Sequence, residues 1–207
     1  MALDPALEPM RTPVTLSGRA VRLEPLAERH LADLAVAGGD REPWTWLFDD
    51  HSTPASLERW LADALRKAAA GAELPFATID IASGRAIGST RFMALAPEHR
   101  RLEIGWTWLG PSWRGGAHNS EAKLLMLEHA FERLGCGRVE LKTDALNARS
   151  RGGLEAIGAR SEGVFRHHMI MTNGRVRDSA WYAIVAEEWP GVRERLRARV
   201  DARLPGA

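Results

Sequence analysis

A strand that passes through a glycine-rich turn into a long apolar helix narrows the fold of this chain more than anything else in it. Leu102 to Leu109 alternates, with Leu102, Ile104, Trp106 and Trp108 set for one face and Glu103, Gly105 and Thr107 for the other. Gly110, Pro111, Gly115 and Gly116 then break the run. From Asn119 to Leu134, the residues Leu124, Leu127, Phe131 and Leu134 recur at helical spacing, and Leu125, Met126 and Ala130 widen the stripe. A helix that apolar is buried, and a strand leading into it reads as one crossover of an α/β sheet.

The rest of the pattern supplies partners for that unit. Val14 to Leu16 and Ala20 to Leu23 read as short strands, followed by a helical spacing of Leu26, His30, Leu31 and Leu34 that ends at Gly38 and Gly39. A loop with Pro43, Trp44, Trp46, Phe48, Asp49, Asp50 and His51 comes next; such aromatic loops suit a binding wall or lid. Thr53 and Pro54 then open a second helix, with Leu57, Trp60, Leu61, Ala64 and Leu65 on one face. Residues 74–81, 85–95 and 102–109 form an antiparallel meander. After the buried helix come a strand at 138–143, a helix at 147–157, strands at 160–169 and 176–185, and a last helix from Trp189. This order predicts a mixed α/β (α+β) sheet with helices on both faces, one domain over residues 14–207, and a loose proline-bearing tail over residues 1–13.

Composition removes several classes of function. The 207 residues include 28 Lys and Arg against 27 Asp and Glu, a balance that gives no field for a nucleic-acid backbone. Cys136 is the single cysteine, so no internal disulfide forms, and no Cys/His spacing suggests a metal site. No segment reaches the ~20 apolar residues of a membrane span, and the start lacks a basic stretch followed by an apolar run. The chain reads as cytoplasmic, with no membrane and no nucleic acid among its partners.

Two stretches could carry chemistry. The turn before the buried helix presents unpaired backbone N–H groups and the positive helix end, which suit phosphate; a plain strand-to-helix turn uses glycine in the same way. Glu103 falls mid-strand, where lost solvation raises a carboxyl pKa and suits acid/base work, unless Arg100 or Arg101 pairs with it. Asn147 is a good cap for the helix at 147–157, with Ser150 one turn in; Gly152 and Gly153 then allow either a close ligand or a late helix start. The histidines at 30, 129, 167 and 168 read as packing or surface groups, and the arginines of the last helix, from 193 to 203, as a solvated face.

Together the run from Gly18 to Leu26, the loop opened by Arg114, Asn147 to Ser150 and Glu155 to Ala159 resemble the GNAT acetyltransferases, and within them the branch named for ribosomal-protein N-terminal acetyltransferases. The resemblance covers about residues 14–195. It implies a V-shaped sheet of about seven strands, in which 102–109 and 138–143 splay apart and acetyl-CoA enters the gap. By the same resemblance Trp108, Leu109, Arg114, Gly115, Gly116, Ala117, His118, Asn119 and Ser120 would bind the coenzyme, the loop opened by Arg114 taking its pyrophosphate. Ala117 and Asn119 stand where glycines are usual, and Asn tolerates positive φ. Asn147 would meet the pantetheine or substrate region and Ser150 the thioester sulfur. Many members use a tyrosine to protonate the departing thiolate, but the one tyrosine, Tyr182, lies in the last strand, so that role passes to Ser150 or water. The implied reaction is direct attack by a primary amine, a protein N-terminus or a small molecule, on acetyl-CoA without a metal. Glu103 would be the base, and Trp44, Trp46 and His51 the wall of the acceptor pocket, with Asp49 and Asp50 drawing the ammonium in. A non-catalytic CoA-binding or regulatory module is the alternative, and a homodimer is allowed for.

Overall fold

The computed structural model describes residues 8–204. Eight strands form one sheet: β1 (Leu16–Ser17), β2 (Val21–Pro25), β3 (Leu74–Asp80), β4 (Ala86–Ala96), β5 (Arg101–Leu109), β6 (Arg138–Asp144), β7 (Arg160–Ile170) and β8 (Val176–Val185), in the order β1-β2-β3-β4-β5-β6-β8-β7. All neighbours are antiparallel except β5 and β6. The eighth strand, against about seven expected, is accounted for by the two-residue β1, and Pro25 closes β2 rather than standing outside it.

The helices are α1 (Glu8–Arg11), α2 (Leu31–Gly38), α3 (Pro54–Ala69), α4 (His118–Glu128), α5 (Ala148–Ile157) and α6 (Trp189–Asp201). Thr53 caps α3 through its side chain, as the Ser-Thr-Pro signal implies. The helical spacing from Leu26 splits into a 3₁₀ turn at Glu28–His30 followed by α2. The apolar stripe of α4 runs on through a π-helical turn at His129–Arg133, so the chain leaves the helix one residue wider than an α-turn allows. Of the expected tail, residues 1–7 lie outside the described residues. Its remainder is not loose: α1 seats Met10 in the core at 4% exposure.

Two apolar cores lie on opposite faces of the sheet. One joins Met126, Leu127, Leu154, Ile157, Leu196 and Val200 of α4, α5 and α6 to Leu23, Phe76, Phe92, Leu102 and Ile104. The other packs Leu34 of α2 and Leu57, Trp60, Leu61 and Ala64 of α3 on Ala77, Ile79, Ala86 and Trp108. With both faces covered, β3 is buried along its whole length. Among the described residues no helix is long and apolar enough to cross a membrane.

Candidate active site

The site begins where two strands part. β5 and β6 pair in parallel only from Arg101↔Arg138 to Glu103↔Glu140. Beyond Glu103 the edge of β5 that faces β6 has no strand against it, and a cleft of about 460 Å³ opens there, lined by Ile104 to Leu109 on one side and Leu141 to Thr143 on the other. On the far edge, β5 carries a bulge against β4, since Ser89 pairs with Trp108 but Arg91 with Gly105. The extra residue is taken up at Trp106, whose φ of 49° lies in the left-handed region. A bulge reverses the facing of the residues beyond it, so Trp106 and Trp108 do not share a face with Leu102 and Ile104. Trp108 enters the core of α2 and α3, Trp106 packs against that core beneath the Arg91 guanidinium (4.9 Å to the ring centre), and Thr107 turns to α4. The regular alternation expected from the sequence therefore fails halfway along this strand.

One end of the cleft lies under the N-terminus of α4. No side chain caps the N-terminus of α4, and Gly115, Gly116, Asn119 and Ser120 line the cleft beneath it. The left-handed turn falls on Gly115 (φ 82°), while Ala117 (φ −70°) is helical, so neither it nor Asn119 has to supply a glycine-like conformation. Trp108 and Leu109 border the cleft although their side chains are buried, and Arg114 donates from Nε to the Leu109 carbonyl (2.8 Å). Two expected coenzyme residues are not in the lining: Ala117 is buried in the core, and His118 turns away to Asp80 Oδ1 (3.2 Å).

Arg199 of α6 and Arg203, two residues beyond its end, both expected on a solvated face, instead reach this end. Arg199 Nε (3.2 Å) and Arg203 Nη1 (3.3 Å) both donate to Ser120 Oγ, and both line the cleft. Their four-residue spacing at the end of the last helix is the only trace of this in the sequence; that the helix packs on α4 is tertiary information. Glu42, from the loop between α2 and α3, spans the cleft mouth by pairing with Arg114 and, at 4.0 Å, with Arg149.

The other end holds Glu103. It is buried (3% exposed), and desolvation raises its pKa, opposed by the Lys142 ammonium at 3.3 Å. Its ion partner is thus neither Arg100 nor Arg101. Gly105 keeps space open beside it, because a Cβ there would lie 3.0 Å from Glu103 Oε1 and 2.6 Å from Met93 Sδ. Asn147 caps α5 by accepting from the Ser150 N–H (3.0 Å), and both line the cleft. Tyr182 is buried with its hydroxyl donating to Glu155 (2.8 Å), outside the lining.

The aromatic loop divides. Trp46, Leu47 and Phe48 line the cleft. Trp44 and His51 do not: Trp44 is 2% exposed, donates to the Gly38 carbonyl (2.7 Å) and packs 4.5 Å from the Trp108 ring. His51 stands edge-on to Trp44 with Nδ1 3.1 Å from the Ser56 carbonyl. Asp50 is paired with Arg41, and Asp49 accepts from the Thr172 hydroxyl (2.9 Å), so these acids anchor the loop. Arg177 Nη1 donates to the Trp46 carbonyl (3.4 Å), tying the loop to β8 as a roof over the Glu103 end.

Lys123, hidden in the apolar stripe of α4, also borders the cleft. Its Nζ donates to Thr107 Oγ1 (2.9 Å), it is 6% exposed, and burial brings its pKa down to about 7. Among the described residues no group of three or more His, Cys, Asp or Glu could hold a metal ion.

A mixed sheet parted at its one parallel pair, with a helix N-terminus over the gap, sets the class of fold to which the chain belongs. Residues 20–160 match the family described as the acetyltransferase (GNAT) domain, and the chain belongs to that family. It is 36% identical over 99 residues to YoaA of Bacillus subtilis, an uncharacterized N-acetyltransferase, a match covering 48% of this chain and 55% of that protein, so the chain spans about half the length of that relative. It is 26% identical over 170 residues to YdaF of the same organism, provisionally named a ribosomal N-acetyltransferase, covering 82% of this chain and 91% of that one. The crystal structure of a GCN5-related N-acetyltransferase from Brucella melitensis superposes with a TM-score of 0.84 at 34% identity, over 90% of this chain and 85% of the other.

Proposed function

We propose that this chain is an N-acetyltransferase that moves an acetyl group from acetyl-CoA to a primary amine by direct attack, in the ribosomal-protein branch of its family. The observation that carries this reading is the cleft itself, with an uncapped helix N-terminus and Arg114, Arg199 and Arg203 at one end and a buried carboxylate at the other. The residues fit the coenzyme. Phosphates meet the amides of Gly115 to Ser120, pantetheine lies along the unpaired edge of β5, and the thioester comes between Thr107 and Ser150. The likeness to YdaF supports the branch assignment and, with it, a protein N-terminus as acceptor.

Each side chain then has a task. Glu103 takes a proton from the incoming ammonium, and its raised pKa brings it nearer to that of the α-amino group, ~8, than an ordinary carboxylate. Backbone N–H groups of β5 beyond the split donate to the acyl oxygen. Ser150 returns a proton to sulfur. Trp46, roofed by its loop, is the wall of the acceptor pocket, a role that Trp44 and His51 leave to it by facing the core.

Incubation of the purified protein with acetyl-CoA and a panel of N-terminal peptides, amino acids and polyamines tests the reading. Free thiol and acetylated amine should appear in equal amounts for at least one acceptor. CoA binding without turnover on any amine would instead make the chain a coenzyme-binding module.

A further inference from the structure

Lys123 has no part in the scheme above, yet it is the one cation that borders the middle of the cleft from α4. Its Nζ has three N–H donors, and the structure gives it a single hydrogen bond, to Thr107. Among the described residues it forms no ion pair, and the charge that acts on it is that of Glu103. A buried ammonium without a carboxylate is costly, and a leucine or methionine at this point of an apolar stripe would pack without that cost. The cation is therefore placed for something that arrives in the cleft.

Position decides what that is. Ser120, one turn earlier on the same face of α4, lies at the anion end with Arg199 and Arg203, whereas Glu103 marks the amine end. Lys123 falls between them, held by Thr107, the residue next after the Trp106 bulge. Between a phosphate and an amine, the group of acetyl-CoA that gains negative charge first, as the amine adds, is the acyl carbonyl.

We propose that Lys123 is a catalytic residue whose Nζ–H donates to the acyl oxygen of the bound thioester. This rests on the acetyltransferase reading above. As the neutral amine adds to the carbonyl carbon, the C=O π pair moves onto oxygen, facing the ammonium. As that pair returns, the C–S bond breaks with its electrons on sulfur; Ser150 hands its hydroxyl proton to sulfur and takes up in its place the proton that the attacking nitrogen loses in becoming an amide. In its charged form Lys123 keeps its proton throughout and acts as a fixed donor to the oxyanion. Its lowered pKa agrees with a cation lacking its anion, since a developing oxyanion would restore the charged form.

The test uses Lys123→Met, which removes the charge and suits the apolar stripe. Infrared difference spectra of acetyl-CoA labelled with ¹³C at the thioester carbonyl read the contact directly, and steady-state kinetics read its effect. Wild-type protein should shift the bound carbonyl band to lower wavenumber. The variant should return it toward the free position, lose about 10²-fold in kcat as for one oxyanion donor, keep its KM for acetyl-CoA within about twofold, and melt no lower than wild type. A variant with the wild-type band and kcat overturns the role of Lys123 while leaving the acetyltransferase reading intact. A wild-type protein that binds acetyl-CoA with no band shift and no turnover on any amine overturns both.

Discussion

Glu103 is the residue on which the proposed chemistry turns most sharply. Burial raises its pKa, opposed by Lys142, and kcat/KM should climb with pH as Glu103 gives up its proton. Glu103→Gln should remove this acidic limb and lower kcat/KM about 10²-fold, measured as a pH profile on the acceptor found in the amine panel. The neighbouring pair on α5 separates a chemical from a structural role. Ser150→Ala should lower kcat and leave acetyl-CoA affinity nearly unchanged, because a proton for sulfur matters only as the bond breaks. Asn147→Ala should instead cost ~1 kcal/mol of stability in denaturant melts, since Asn147 accepts from the Ser150 N–H and caps the helix. Two tryptophans two positions apart should behave in opposite ways. Trp46→Ala should raise KM for the amine with the fold kept, whereas Trp44→Ala should remove ~3–5 kcal/mol of stability from the core of α2 and α3. Their sequence context is the same loop, and nothing local separates them; only the packing of Trp44 on Trp108 does.

At the scale of elements, the anion end depends on α6 lying against α4. Replacing Arg199 and Arg203 together by Ala should weaken CoA binding by calorimetry, with a difference that shrinks as salt screens the phosphates. Gly115→Val should abolish the thermal shift produced by acetyl-CoA. No atom lies within 4 Å of a Cβ at Gly115, so the harm comes from its φ of 82° and falls on the direction of the loop amides rather than on packing. Most strands and helices are legible in the sequence, because hydrophobic period 2 and period 3.6 show which segments are half-buried, and Thr53 and Asn147 mark helix starts in their own chemistry. The bulge at Trp106 is not, since one inserted residue leaves a run of Leu, Ile and Trp looking regular while it reverses half of their directions. Lys123 is lost inside an apolar stripe, where a single polar residue carries no periodic signal. Arg199 and Arg203 escape a sequence reading because an amphipathic helix shows that it has a polar face but not what that face meets.

The whole molecule joins two halves of a sheet that touch in parallel over only three residue pairs, from Arg101↔Arg138 to Glu103↔Glu140. A ligand that bridges β5 and β6 binds the folded chain alone, so acetyl-CoA at a hundredfold excess over its dissociation constant should stabilise it by ~2.7 kcal/mol, visible as a raised Tm. The measurement closest to the central claim is a crystal structure of the protein with CoA bound. Pantetheine density is expected between Ile104 to Leu109 and Leu141 to Thr143, with phosphates on the amides of Gly115 to Ser120 within reach of Arg199 and Arg203, and sulfur at Ser150 facing Glu103 across the bulge. Well-ordered CoA outside the gap between β5 and β6, with the first turn of α4 left free, would contradict that claim.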